Sequence, residues 1–269
     1  MNILEYKAKE VFARYNIPVP EGFFLSALKE LVQINFPVAV KAQVPIGGRG
    51  KAGGIKFANN QKELEKNINE ILGMNIKGFT VSKVLIEEKL EIKKELYLGI
   101  VLDRSAKSPL LIGSECGGVD IEEVGESKII RKTINPFIGV RDFVIRELSE
   151  KFNIPEMLKK DFASIVKNLY ALFKNEDAEL AEINPLIITK DNRIIAGDAK
   201  LVIDNDSLYR HKEYTDMPSC ASELETKAAE RDIALVQLDG TIGVIANGAG
   251  LTMATMDMIK LCGGEPANF

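Results

Sequence analysis

The 269-residue sequence predicts an α+β fold of antiparallel hairpins, followed by the beginning of a Rossmann/flavodoxin-like α/β domain. Helix-like and strand-like segments are mixed without the regular alternation that a doubly wound sheet requires. Two strand-like segments flank the turn signal at Lys190 to Asn192, which predicts a hairpin. Near the end, a short apolar segment, the glycine turn N-G-A-G and a helical pattern follow one another, as at the start of a Rossmann-like domain.

Composition excludes several classes of protein. With 35 Lys+Arg against 39 Asp+Glu, the net charge of −4 argues against a nucleic-acid footprint. The longest uncharged segment, 240–256, is too polar and glycine-broken for a membrane span, and the N-terminus shows no signal peptide. Three scattered cysteines and one histidine favour a reducing, cytoplasmic compartment without a disulfide framework or a His-rich metal site.

The first half of the chain is predicted from apolar periodicity and breakers. Asn2 is expected to cap a helix that runs to about Asn16, and Pro18 and Pro20 end it. The remaining predicted elements of this half are strands at 38–44 and 55–58, a helix at 61–72, and strands at 81–87, 95–103 and 109–114.

The second half shows the same mixture. Helices are predicted at 142–152 and 156–174, and strands at 179–188 and 193–199. The composition becomes polar over 204–231, which predicts a linker. Beyond it, strands at 234–238 and 243–246 and a helix at 251–261 are expected.

A glycine-rich loop, P-I-G-G-R-G-K-A-G-G at 45–54, is the first candidate site. Its five glycines let backbone N–H groups approach an anion, and Arg49 and Lys51 add positive charge. The loop departs from the Walker pattern because Ala52 follows Lys51. The alternative is a mobile hairpin turn. Lys41, in the preceding strand, either faces an anion in the interior or is an edge lysine that reaches solvent.

The hairpin around Lys190 to Asn192 is the second candidate. Pairing Ile188 with Ile194 sets Asn184 opposite Asp198 and Glu182 opposite Lys200, so these four polar side chains share one face. Two oxygen ligands with open positions suit Mg²⁺ carried by a nucleotide. The alternative is a solvated polar face of an antiparallel pair.

Weaker candidates follow. Glu87 and Glu95 flank a short connection, where strand-end carboxylates either accept from a base or ribose or are simply solvated. Cys116, in an acidic glycine-rich loop, is expected to be structural because no basic residue lies beside it in sequence. His211 is expected on the surface amid charges.

A set of motifs resembles one family across the whole chain. In order they are M-N-I-L-E-Y-K-A-K-E, V-K-A-Q-V with G-G-R-G-K-A-G-G, K-E-L-Y-L-G, E-I-N-P-L, N-G-A-G-L and G-G-E-P-A-N-F. They resemble the β subunit of succinyl-CoA synthetase, the ADP-forming succinate–CoA ligase, whose nucleotide-binding domain has the ATP-grasp fold. The resemblance implies an ATP-grasp domain at 1–221 with a lid at about 21–100. It also implies a C-terminally truncated start of the CoA-ligase domain at 222–269.

The resemblance also implies site roles. Lys41 and the loop Gly48, Arg49 and Gly50 match positions that hold nucleotide phosphates, while Glu87, Leu90 and Glu95 surround the base and ribose. Asn184 and Asp198 match Mg²⁺ ligands, Glu182 a catalytic carboxylate that orients a phosphohistidine, and Asn247 a residue of the carboxylate substrate site. Pro45 and Ile46 replace the His-Ala pair usual in bacterial relatives, which leaves the phosphate-contacting residues intact.

The implied activity couples ATP/ADP phosphoryl transfer to succinyl-CoA formation from succinate and CoA in the citric acid cycle. A phosphohistidine on a separate α subunit would carry the phosphoryl group, so the isolated chain is expected to be inactive. Two alternatives remain open: a malate–CoA ligase β subunit, and a non-catalytic nucleotide-binding or assembly module.

Overall fold

The computed structural model describes residues 1–25, 34–214 and 223–269. The chain divides into two compact units, Met1–Pro218 and Ser219–Phe269. The first unit holds every strand of the described residues. None of the helices in these ranges is both long and apolar enough to cross a membrane.

The elements of the first unit follow in chain order. The strands are β1 Asn2–Ile3, β2 Gly22–Leu25, β3 Val38–Ala42, β4 Ile55–Ala58, β5 Asn75–Ile76, β6 Phe79–Thr80, β7 Val84–Glu88, β8 Ile92–Asp103, β9 Ser108–Ser114, β10 Ile129–Thr133, β11 Ala178–Thr189, β12 Ile194–Ala196 and β13 Lys200–Ile203. The α-helices are α1 Glu5–Arg14, α2 Gln61–Ile71, α3 Asp142–Lys151 and α4 Lys159–Asn175.

Antiparallel pairing dominates both main sheets, which confirms the predicted α+β class. The larger sheet has seven strands in the order β1-β13-β11-β8-β9-β10, with β12 paired to β11. The smaller has four strands in the order β2-β7-β3-β4, and β5 and β6 form a two-stranded ribbon. The predicted hairpin register is confirmed, because Ile188 pairs with Ile194 and Glu182 with Lys200.

Each main sheet has its own apolar core. Under the larger sheet, Phe12 of α1 and Phe162 of α4 are fully buried together with Leu98 of β8. Over the smaller sheet, α2 buries Leu64 and Ile68, at the i, i+4 spacing of one helix face. Each sheet is therefore held in place by its own core, which makes it a rigid support for the site residues that it carries.

Several predicted boundaries are wrong for local reasons. Asn2 is not a helix cap: it belongs to β1 and pairs with Val202, and α1 begins at Glu5. The strand predicted at 193–199 ends early: β12 stops at Ala196, Gly197 to Ala199 leave the ladder, and pairing resumes in β13, which was not predicted. The short strands β2 and β10 were not predicted; each forms beside a longer strand that supplies its pairing.

The predicted linker also begins too early. Residues Asn205–Arg210 and Lys212–Tyr214 form 3-10 helices, and Ser207 and Tyr214 are buried, so this part is packed rather than extended. The rest of the predicted linker falls partly on 215–222, outside the described residues.

The second unit contains helices α5 Glu223–Ala229 and α6 Ala249–Leu261. The helix predicted at 251–261 is therefore confirmed. The strands predicted at 234–238 and 243–246 are wrong: within 223–269 the pairing is limited to the isolated bridges Gln237–Asn268 and Ile242–Pro266. Val236 and Phe269 exchange backbone hydrogen bonds, and Ile242 bonds to Glu265 and Ala267, but these contacts are too short to extend into a ladder.

Candidate functional site

A cleft of about 550 Å³ in the first unit brings the predicted site residues of that unit together. It is lined from both sheets and from the loops between them. The lining includes Glu5, Lys41, the loop 46–51, residues 87–90, Glu95, residues 118–120, Glu182, Asn184 and residues 197–201.

Six charged side chains form one network, here called the central charge cluster; five of them line the cleft and Lys9 lies behind them. Three are cations and three are carboxylates, so the cluster is electrically balanced. Its members are Glu5, Lys9, Lys41, Arg49, Glu87 and Asp198. Buried charges are retained when each has partners, and here every member has at least one.

Lys41 faces the interior, not solvent. Its Nζ lies 3.0 Å from Glu5 Oε1 and 2.7 Å from Glu87 Oε2, and it donates to the carbonyl of Gly197 at 2.7 Å. Burial opposes its charge, but Glu5, Glu87 and Asp198 outweigh that penalty and raise the pKa of Lys41 above its ordinary value. The side chain is thus a permanent cation at the cleft floor.

Arg49 reaches the same floor from the glycine-rich loop. Its Nη2 donates to both carboxylate oxygens of Asp198, at 3.0 and 2.8 Å, and its Nη1 donates to Glu5 and to the carbonyl of Ala42. Burial opposes the charge of this guanidinium, yet Glu5 and Asp198 raise the pKa of Arg49 further. The loop therefore delivers a fixed cation to the cleft.

The loop backbone explains why glycine stands beside Arg49. Gly48 has φ +80°, a left-handed conformation that side chains rarely adopt. A Cβ at this position would also lie 3.1 Å from Lys77 Nζ. Outside the cleft floor, Lys51 pairs with Asp120 at 2.6 Å and with Glu123 at 3.4 Å, so the loop lies against the acidic segment that follows β9.

Asp198 and Asn184 supply the oxygen atoms predicted to bind a metal. The ladders of β11 share one register, which sets these two residues opposite each other where the β12–β13 break leaves them unpaired. Burial, followed by the nearby Glu5 carboxylate, raises the pKa of Asp198, and a cation would relieve both effects. Asn184 Oδ1 accepts from the N–H of Gly118 at 2.8 Å and its amide donates to the carbonyl of Val119 at 2.9 Å, which fixes its orientation.

Glu182 lies two residues before Asn184 on the same face of β11. Tyr97 of β8 donates its hydroxyl hydrogen to Glu182 Oε2 at 3.1 Å. Burial raises the pKa of Glu182, which Lys200 and the Tyr97 hydrogen bond only partly offset. A buried carboxylate with an elevated pKa is stabilised by a cationic partner and can also exchange a proton, so Glu182 suits either role.

The predicted base and ribose residues occupy different environments. Glu87 is only 2% exposed and its carboxylate is held by Lys9 and Lys41, so it is not a solvated charge. Leu90 and Glu95 line the cleft directly. Glu95 is half-buried, which raises its pKa, and its side-chain oxygens lie beside Gly118.

Asn247 belongs to the second unit. It is exposed and immediately precedes Gly248, whose φ of +115° leads into α6.

Sequence reasoning missed Glu5, Lys9 and Tyr97. Glu5 and Lys9 lie at i, i+4 on the buried face of α1. Two charged residues on an otherwise apolar helix face are the sequence signal that could have indicated a buried ion pair. Their partners are far away in sequence, and no local pattern reveals them.

His211 contradicts the prediction of a surface residue. It is 9% exposed, and its Nε2 lies 2.8 Å from Asp177 Oδ2. Glu176 lies close to its other ring nitrogen, and Tyr214 packs against the ring. The acids come from the corner between α4 and β11, which is why the neighbours of His211 in sequence did not reveal them.

Comparison with known proteins places these observations in a family. Residues 2–188 match the ATP-grasp domain family. The chain is 46% identical over 285 residues to the succinate–CoA ligase [ADP-forming] β subunit of Aquifex aeolicus, covering all of this chain and 73% of that protein. It is 47% identical over 279 residues to the corresponding subunit of Chloroflexus aggregans, with the same coverage.

Solved structures agree on the fold. ATP citrate lyase from Methanothrix soehngenii, in complex with citrate and coenzyme A, superposes with a TM-score of 0.69 at 22% identity, covering all of this chain and 71% of that one. The dinucleotide-forming acetyl-coenzyme A synthetase 1 of Ca. Korarchaeum cryptofilum, with coenzyme A and Mg-AMPPCP, gives 0.58 at 20% identity, covering 76% of this chain and 93% of that one.

Proposed function

We propose, from the premise that this chain belongs to the family of ADP-forming succinate–CoA ligase β subunits, that its cleft binds ATP or ADP with Mg²⁺ for phosphoryl transfer. The observation that carries the proposal is the convergence of Lys41, Arg49, Asn184 and Asp198 on one cleft of about 550 Å³. The cleft offers cations for phosphate and oxygen ligands for a hard metal, which together suit a metal–nucleotide complex.

The roles of the phosphate-binding residues follow from charge. Lys41 and Arg49 would neutralise phosphate oxygens, and the backbone N–H groups around Gly48 and Gly50 would approach them closely. Because Lys41 and Arg49 are already held by carboxylates, little side-chain entropy remains to be lost on binding.

A magnesium ion fits the donor set at the β12–β13 break. The carboxylate of Asp198 and the amide oxygen of Asn184 are the hard oxygen ligands that Mg²⁺ prefers, and bound phosphate would complete the shell. When present, the ion would supply charge neutralisation on the phosphate oxygens. Arg49 donates to both carboxylate oxygens of Asp198. On binding a metal, Asp198 would exchange this guanidinium partner for the ion.

The rest of the reaction requires a second protein. We propose an α subunit that brings a phosphohistidine to Glu182, and that succinate and CoA react within the resulting complex. Asn247 would contribute to the carboxylate site. Residues 1–221 would form the ATP-grasp domain with the lid at 21–100, and 222–269 would begin the CoA-ligase domain. The cysteine usage supports a cytoplasmic location.

Titration calorimetry of the chain with ATP, in the presence and absence of Mg²⁺, tests the nucleotide site. Saturable binding that strengthens with Mg²⁺ is expected, and GTP competition then reports the purine preference. Absence of saturable ATP binding would overturn the proposal. Addition of an α subunit with succinate or malate distinguishes succinate–CoA ligase from malate–CoA ligase; the names of the relatives favour succinate.

A further inference from the structure

Helix α1 carries a carboxylate, Glu5, that is 3% exposed and lines the cleft. The same face of the helix buries Ala8 and Phe12, and a carboxylate there loses hydration that only close partners replace. Glu5 has those partners in the central charge cluster. Burial would favour its neutral form, but Arg49, Lys41 and Lys9 hold the pKa of Glu5 well below its usual range.

The two carboxylate oxygens of Glu5 contact cations from different structural elements. Oε1 lies 3.0 Å from Lys41 Nζ on β3, while Oε2 accepts from Arg49 Nη1 on the glycine-rich loop. Oε1 also lies 3.0 Å from Lys9 Nζ. Among the described residues, Glu5 is the carboxylate that pairs with both Lys41 and Arg49.

The other partners of these cations are not equivalent. Asp198 pairs with Arg49 but is the residue proposed to bind metal, and Glu87 pairs with Lys41 but makes no ion pair with Arg49. Once Asp198 turned to a metal, Glu5 would keep Arg49 and Lys41 side by side.

We infer that Glu5 is a positioning residue that sets the spacing and direction of Lys41 and Arg49 toward nucleotide phosphates. The inference rests on the proposed function of the cleft. It adds that the N-terminal helix, through one carboxylate, links the strand lysine and the loop arginine into a single phosphate-binding unit.

The test compares ATP with AMP on the full chain by calorimetry. Glu5→Gln keeps the size of the side chain and removes its charge, so the ATP affinity should fall about 10- to 100-fold, the range found when a residue that orients a metal ligand is lost. AMP, with one phosphate, should lose much less. The control is Glu10→Gln on the same helix, whose partner Lys7 lies on the surface, and this variant should retain the ATP/AMP ratio of the unaltered chain.

A charge-balanced variant separates positioning from folding. Glu5→Gln combined with Lys9→Met removes one charge of each sign, and Lys9 does not line the cleft. The double variant should lose ATP affinity selectively, with Glu10→Gln again as the reference that keeps the ATP/AMP ratio. Equal losses for ATP and AMP, or an unchanged ratio in the folded double variant, would overturn the role of Glu5. Failure of the unaltered chain to bind ATP would instead overturn the proposed function and the inference with it.

Discussion

Arg49 and Asp198 form a two-pronged ion pair, with Arg49 Nη2 at 3.0 and 2.8 Å from the carboxylate oxygens of Asp198. The pair joins the glycine-rich loop to the break between β12 and β13, 149 residues apart in sequence. It sets the proposed phosphate-binding cation against the proposed metal ligand. Nucleotide and metal would therefore bind by partner exchange, with phosphate taking Arg49 and metal taking Asp198.

Replacing Asp198 tests the metal half of this exchange. Asp198→Ala should weaken the Mg²⁺-dependent part of ATP binding by about 1–3 kcal/mol, the scale of a lost interaction with a charged group. Calorimetric titrations with and without Mg²⁺ measure that part. Asp191→Ala is the control, because Asp191 is exposed and pairs with Arg193 outside the cleft. Equal Mg²⁺ dependence in the Asp198 variant and the unaltered chain would contradict the metal assignment.

Replacing Arg49 tests the phosphate half. Arg49→Lys keeps the charge but cannot donate from one planar fork to Asp198 and Glu5, so ATP affinity should fall by about tenfold. The variant should also lose about 1–3 kcal/mol of unfolding free energy, because buried carboxylates lose hydrogen bonds. Denaturant unfolding and calorimetry report the two effects. Arg193→Lys, at an exposed pair, should change neither quantity measurably.

Acid should reveal the contribution of Glu5 to stability. Its pKa is lowered by folding, so its stabilising effect is fully present above the unfolded value, near 4.3, and is lost as pH falls through the folded value. Removing one partner of a buried pair costs about 3 kcal/mol or more at neutral pH. The difference in unfolding free energy between the unaltered chain and Glu5→Gln should thus be constant from about pH 7 to 5 and shrink below that.

Urea unfolding at a series of pH values measures this difference, with Glu10→Gln as the exposed control. Asp198 has the opposite sign, since folding raises its pKa and protonation relieves its burial. Because Glu5 itself contributes to the raised pKa of Asp198, the difference between the two curves reports Glu5 together with its effect on Asp198. A difference that grows on acidification would contradict the assigned direction.

The single histidine should not become phosphorylated. His211 is buried beside Asp177 and Glu176, whose negative charges would repel an incoming phosphoryl group, and it does not line the ATP cleft. Incubation of the chain with labelled ATP should leave no acid-labile label. Label that disappears in His211→Asn would show that this chain carries the phosphoryl group itself.

Limited proteolysis should distinguish the two parts of the predicted linker. His211 and Tyr214 are buried, which protects the nearby Arg210 and Lys212 from trypsin, whereas Arg231 is exposed in the second unit. Early cleavage at Arg231 and release of a C-terminal fragment is expected by mass spectrometry. Earlier cleavage at Arg210 or Lys212 would contradict the packing of the segment that ends at Tyr214.

The β11 hairpin shows what sequence could establish. A turn at Lys190 to Asn192 predicts that Ile188 pairs with Ile194. The same register, with side chains alternating between the two faces, places Glu182 opposite Lys200. Local patterns of this kind need no distant partner. They also identified the glycine-rich loop, whose requirement for a left-handed residue is met at Gly48.

Long-range partners lie beyond such reasoning. Glu5 meets Arg49 across 44 residues and Lys9 meets Gly197 across 188, and nothing near either residue in sequence indicates the contact. His211 was misjudged for the same reason, since Asp177 approaches it through the fold. The predicted strands at 234–238 and 243–246 had suitable composition, but composition does not supply the neighbouring strand that a ladder needs.

The carbonyl oxygen of Gly197 accepts from both Lys9 and Lys41, at 2.9 and 2.7 Å. It is available because the chain leaves the ladder between β12 and β13. Because this acceptor belongs to the backbone, no side-chain substitution removes it. A substitution can only shift the oxygen that the two ammonium groups share. A side chain at Gly197 would crowd this acceptor, because its Cβ would lie 2.5 Å from Ile187 Cδ1, so Ile187 would have to shift.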